Sequence, residues 1–110
     1  MDELFWHWTH RLVFTAGVKH IADTAGAYWL IDAVASYQAD RRVQGEEFQT
    51  WTLKVNPDKS ATLTMTDGND GPPRITQHIE FTDYADSGES ECELYVVGPA
   101  PLTLMLPCEY

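Results

Sequence analysis

The chain has 110 residues, 44% of them hydrophobic, which is enough for the core of one domain and excludes a disordered chain. Its formal net charge of −10, from 17 acidic and 7 basic residues, argues against direct nucleic-acid binding through lysine and arginine. No stretch approaches the ~20 apolar residues of a membrane span and the start is acidic, so we expect a soluble cytoplasmic protein with one domain over residues 1–110.

The first third of the chain predicts two helices. The N-terminal segment LFWHWTHRLVF is aromatic and prone to β structure, and it predicts either a strand from about Leu12 to Phe14 or an aromatic lead-in. Thr15 is a candidate N-cap for a first helix over 16–23, and Gly26 marks a break. A second helix is predicted over 27–39. Its apolar side chains share one face at helical spacing: Leu30, Ala33, Val34 and Tyr37.

After Gly45 the hydrophobic period changes from 3.6 residues to 2, which predicts β-strands. Three alternating runs lie at about 51–55, 61–66 and 75–82, and a fourth at 94–97. Because turn-forming sequences join consecutive runs, we expect an antiparallel meander. The predicted fold is therefore α+β, with an N-terminal helical segment of two helices packed on a mainly antiparallel sheet of about four to five strands.

Histidines near the N-terminus form a candidate metal site. His7, His10 and His20 can supply imidazoles, with Asp23 as a further ligand, and zinc requires three or four such groups. Their spacing matches no standard closed zinc pattern. A small metal-binding protein or enzyme built on this segment is kept as an alternative, and no cofactor is predicted.

The remaining nucleophiles give no catalytic signature. Cys92 and Cys108 are too few for a disulfide framework, and the sequence leaves open whether they pair. A Cys–His pair with His78 lacks any recognisable nucleophile context. We therefore predict no catalytic residue and no enzymatic activity.

Aromatic residues near the N-terminus belong either to the core or to an interface. Exposed members among Phe5, Trp6 and Trp8 would be anchors for a protein partner or for a homodimer, so a structural homo-oligomer is a further alternative. Tyr28 and Trp29 belong fully to neither apolar stripe, and they are left open as contact residues.

Acidic residues are concentrated in the second half, where residues 46–110 carry twelve acids and three bases. One interpretation is a solvated loop that maintains solubility. The other is a negative surface that mimics the phosphates of a nucleic acid and binds a basic groove. For the second interpretation the predicted partner-binding residues are Asp83, Asp86, Glu89, Glu91 and Glu93, with Glu80, Asp67 and Asp70 as second choices.

Four segments carry a family resemblance: TAGVKHIADTAGAYWLIDAVASYQ (15–38), EFQTWTLKV (47–55), QHIEFTD (77–83) and LPCEY (106–110). Together they resemble a small bacterial and phage family of unknown function. That family typically has Thr-Asp-Gly where this chain has Thr15-Ala16-Gly17. The resemblance supplies no catalytic residues, and it implies an origin on prophages, plasmids or other mobile elements.

Small acidic proteins of such elements are often inhibitors of host defence. The resemblance and the charge together predict a non-enzymatic interaction protein of anti-CRISPR or anti-restriction type. Its expected partner is a host protein or nucleoprotein complex with a basic groove, rather than nucleic acid itself or a membrane.

Overall fold

Two short strands precede the helices. The computed structural model describes residues 3–68, 71–82, 90–99 and 101–110. The first elements are β1 (Leu4–Trp6), β2 (Val13–Thr15), α1 (Ala16–Ala25) and α2 (Tyr28–Tyr37). Five strands and a 3-10 helical turn follow: β3 (Phe48–Val55), β4 (Ala61–Thr66), β5 (Ile75–Ile79), β6 (Glu91–Val97), β7 (Thr103–Met105) and the turn Pro107–Glu109. Within the described ranges no helix is long and apolar enough to cross a bilayer.

The limits of α1 follow from its two terminal residues. The Thr15 side chain accepts the backbone N–H of Val18 at 3.2 Å, which confirms the predicted N-cap. Gly26 has a φ of 62° and donates its backbone N–H to the carbonyl of Ala22, so it ends the helix as a left-handed cap. The helix therefore continues to Ala25, two residues beyond the predicted end at Asp23.

All seven strands form one mixed sheet in the order β1-β2-β7-β6-β3-β4-β5. Only β2 and β7 pair in parallel, while the other neighbours are antiparallel. The predicted fold class was therefore wrong: the sheet has seven strands rather than four to five, it is mixed, and the helices follow two strands. β1, β2 and β7 have three residues each, which is too short to show a hydrophobic period.

Side chains alternate along the central strands, so the sheet has two different faces. One face packs with the helices in a core whose largest fully buried members include Trp51, Leu53, Leu63, Met65 and Leu104. The other face, called here the open face, carries half-exposed threonines on β3 and β4: Thr50, Thr52, Thr62, Thr64 and Thr66. β-branched threonine suits such a half-solvated surface.

A buried amide network joins α2 to β3. Gln49 is fully buried, and its side-chain carbonyl accepts the indole N–H of Trp51 at 2.9 Å and the amide of Gln38 at 2.9 Å. Its own amide donates to the Gln38 side chain at 2.8 Å and to the carbonyl of Glu46 at 3.1 Å. These bonds satisfy groups that would otherwise be costly to bury.

The C-terminal turn closes onto the start of α1. The carboxylate of Glu109 accepts the hydroxyl of Thr15 at 2.7 Å and the backbone N–H of Leu106 at 2.9 Å. A Cβ on Gly17 would lie only 3.0 Å from both oxygens of this carboxylate, so glycine permits the approach. Two of the segments that carry the family resemblance therefore meet here, and their role at this point is structural.

Candidate functional site

Backbone hydrogen bonds place both flanks of the acidic segment at one end of the sheet. The N–H of Thr82 donates to the carbonyl of Lys59, and the N–H of Val55 donates to the carbonyl of Ser90, each at 2.8 Å. Lys59 and Val55 flank the β3–β4 turn. The predicted residues between these anchors lie outside the described residues: Asp83, Asp86 and Glu89.

Four described acids surround the same end of the sheet. Glu91 and Glu93 are exposed and alternate on β6 with buried Cys92 and Leu94, so they belong to the open face. Glu80 is exposed directly after β5, and Asp58 is exposed in the β3–β4 turn. We call this surface the acidic end: Asp58, Glu80, Glu91 and Glu93.

Negative charge dominates the acidic end. Residues 79–93 contain six acids and neither lysine nor arginine. The side chain and the backbone N–H of Ser60 donate to Asp58 at 2.6 and 3.0 Å, and these bonds lower the pKa of that carboxyl. Nearby bases belong to the hairpin: Lys54 is the cross-strand neighbour of Glu91, and the Lys59 Nζ lies 5.8 Å from the ring of Phe81.

Asp67 lies at the other end of β4. Its carboxylate accepts an N–H of Arg74 at 2.9 Å, and Arg74 also donates to Glu46 at 2.6 Å. The bond to Glu46 is the main reason why the pKa of Arg74 is raised. At about 3.3 Å per residue, β4 separates Asp67 from the acidic end by roughly 20 Å. The structure therefore does not bring Asp67 together with Glu80, Glu91 and Glu93, and Asp70 lies outside the described residues.

The N-terminal histidines are not gathered around a common point. His7 is buried, and its Nε2 donates to Asp32 on α2 at 2.6 Å. Asp23 instead binds Lys19 at 2.9 Å and the hydroxyl of Tyr28. Among the residues that the structure describes, no three or more His, Cys, Asp or Glu side chains are placed to hold a metal ion.

The cysteines and N-terminal aromatics occupy distinct environments. Cys92 is buried in β6 and Cys108 is exposed in the C-terminal turn, and no disulfide joins these two described residues. Phe5 stacks on Phe14 with ring centroids 5.7 Å apart, whereas Trp6 and Trp8 are 59% and 76% exposed. The first aromatic therefore belongs to the core, while both tryptophans are available for contacts.

A groove separates α2 from the edge strand β5. It encloses about 850 Å³ and is lined by Trp8, Trp29, Asp32, Ala33, Ser36, Tyr37, Ala39, Asp40 and Gln77. We call it the α2–β5 groove. Sequence reasoning missed it, although Trp29, Asp32 and Ser36 are spaced as one helix face. The opposing wall comes from residues distant in sequence, such as Trp8 and Gln77.

Helices on one face of a seven-stranded mixed sheet, with an open second face and one acidic end, define a two-layer α–β protein. The chain belongs to the family described as "Family of unknown function (DUF6876)", whose model matches residues 1–110. This confirms the resemblance to a family of unknown function. No curated protein matches the chain.

One solved structure shares the fold. It is described as a protein of unknown function from Enterococcus faecalis, and it matches with a TM-score of 0.62 at 16% sequence identity. The match covers 100% of this chain and 93% of that chain. At this identity the similarity concerns the fold alone.

Proposed function

We propose that this protein is a non-enzymatic inhibitor whose acidic end binds the basic, nucleic-acid-binding surface of a partner protein. The observation that carries the proposal is the anchoring of Thr82 and Ser90 on the β3–β4 hairpin. This anchoring places both flanks of the acid-rich segment beside Glu91 and Glu93. Residues 79–93 contain six acids, and the described parts of this stretch all lie at one end of the sheet.

The rigidity of β6 favours binding by its carboxylates. Glu91 and Glu93 lie opposite Lys54 and Thr52 of β3, whereas β7 pairs with β6 only from Tyr95 to Val97. The pairing with β3 orders the backbone of both glutamates before a partner arrives. A preordered anionic surface has little conformational entropy to lose on binding. It also attracts a positively charged surface over a distance, which accelerates association at low salt.

We further propose that the partner is a host defence protein or nucleoprotein complex of restriction or CRISPR type. Support comes from the resemblance to a bacterial and phage family and from the net charge of −10. Enzymes of this kind bind DNA or RNA through basic grooves, and an acidic protein can occupy such a groove.

Affinity capture from a bacterial lysate tests the proposal. With the chain immobilised, we expect a nucleic-acid-binding protein to be retained at about 0.1 M salt and released near 0.5 M, because salt screens contacts between exposed charges. An unrelated immobilised protein of equal net charge identifies proteins that bind negative charge in general. Retention that is insensitive to salt, or retention only of proteins that do not bind nucleic acid, would contradict the proposal.

A further inference from the structure

A negative charge is held at the wall of the α2–β5 groove. The Oδ1 atom of Asp32 accepts the Nε2–H of His7 at 2.6 Å and the indole N–H of Trp8 at 3.3 Å. The Nδ1 of His7 lies 2.8 Å from the hydroxyl of Thr9 and accepts the backbone N–H of Thr9 at 3.2 Å. Both ring nitrogens of His7 therefore have partners, and the Asp32 side chain remains 54% exposed.

Three aromatic side chains line the groove that holds this carboxylate. The indoles of Trp8 and Trp29 and the phenol of Tyr37 line the same groove as Asp32. Aromatic faces carry negative electrostatic potential and attract cations, above all alkylated ammonium groups. The other acid in the lining, Asp40, is paired with Arg42 at 2.8 Å, so Asp32 supplies the charge of the groove. Among the residues that the structure describes, no lysine or arginine lines the groove.

We propose that the α2–β5 groove binds an organic cation, an alkylammonium or guanidinium group. The carboxylate of Asp32 takes the positive charge, and the indoles of Trp8 and Trp29 cover the alkyl groups. If the hydrogen bond between His7 and Asp32 had only a structural role, it would explain why the imidazole can be buried. It does not account for Trp8, which is 76% exposed beside the same carboxylate. None of the residues that line the groove belongs to the acidic end, so this inference and the proposed function are tested on different residues.

Choline and its uncharged shape analogue 3,3-dimethylbutan-1-ol are the matched probes. In ¹⁵N-labelled protein, the indole N–H of Trp8 reports on the groove because it donates to Asp32. The indole of Trp51 is the internal control, since it is buried and bonded to Gln49. We expect choline to shift the Trp8 signal saturably and the alcohol to leave it unchanged. Equal shifts from choline and from the alcohol would overturn the proposal.

Two isosteric variants complete the test. Asp32→Asn keeps an oxygen that accepts the His7 proton but removes the charge, and we expect choline affinity to fall about tenfold. Asp23→Asn is the control on α1, outside the groove, and we expect its choline affinity to match that of the unmodified chain. An Asp32→Asn protein that keeps the native spectrum and binds choline unchanged would refute the role of Asp32.

A capped lysine amide identifies the source of the cation. Binding that is tighter than that of choline supports the side chain of a partner protein as the ligand. Tighter binding of choline supports a small quaternary ammonium compound. Failure of the lysine amide and choline alike to shift the Trp8 signal overturns the proposal.

Discussion

Replacing Glu91 by serine together with Glu93 by lysine is expected to weaken binding to the captured partner roughly 100-fold, since close charge pairs in steered complexes each contribute about tenfold or more. Both side chains are exposed on the open face of β6, so the core is not disturbed. Serine is chosen for Glu91 because a lysine there would lie directly opposite Lys54. The dissociation constant is measured by surface plasmon resonance at fixed salt.

The matched control makes the same charge change elsewhere. Glu3→Ser combined with Glu47→Lys also changes the net charge by +3, and both residues are exposed away from the acidic end. We expect this control to bind the partner within about threefold of the unmodified chain, through the change in net charge alone. Equal losses in both variants would show that overall charge, rather than the acidic end, determines binding.

Gln49→Ala is expected to lower the free energy of unfolding by about 3 kcal/mol, because it leaves buried polar groups without partners and opens a cavity. The indole N–H of Trp51 loses its acceptor, and Gln38 loses its link from the end of α2 to β3. For a chain of this size the midpoint of thermal unfolding should fall by roughly 15 °C. Circular dichroism measures the free energy of unfolding by chemical denaturation and the midpoint by thermal denaturation.

The neighbouring residue provides the control for this substitution. Thr50 is on the same strand but on the half-exposed open face, so Thr50→Ala should cost about 0.5 kcal/mol. A similar loss of unfolding free energy in the two variants would mean that any substitution in β3 is equally destabilising. The buried amide network would then make no particular contribution to stability.

Local patterns predicted the parts of the fold that depend on neighbouring residues. Thr15 followed by helical spacing predicted α1, and alternation along 51–55 and 61–66 predicted β3 and β4. Such patterns work because a cap or an amphipathic strand is specified within a few residues. The second helix begins at Tyr28 and ends at Tyr37, close to the predicted 27–39.

The sheet order depends on contacts that no local pattern carries. In the parallel pair β2–β7, Val13 lies opposite Thr103, and these residues meet only after the chain has folded. β7 is also short and lies between Pro101 and Pro107, which favour an irregular tail in any local prediction. The mixed topology therefore follows from tertiary packing.

The candidate surfaces could likewise be predicted from the sequence only in part. Charge composition alone selected Glu91 and Glu93, whereas only the fold reveals that Asp67 lies at the far end and pairs with Arg74. The α2–β5 groove requires Trp8, α2 and β5 to be placed together, so its carboxylate Asp32 carries no signal in the sequence. Sequence reasoning thus identifies charge, and the fold determines where that charge lies.

Competition with nucleic acid for the captured partner tests the central claim most directly. The partner is bound to a fluorescently labelled DNA or RNA duplex, and fluorescence anisotropy is followed as the protein is added. We predict a fall to the value of free duplex, with the Glu91→Ser, Glu93→Lys variant shifted to roughly 100-fold higher concentration. A ternary complex in which partner, duplex and protein are bound together would contradict the claim that the acidic end occupies the nucleic-acid site.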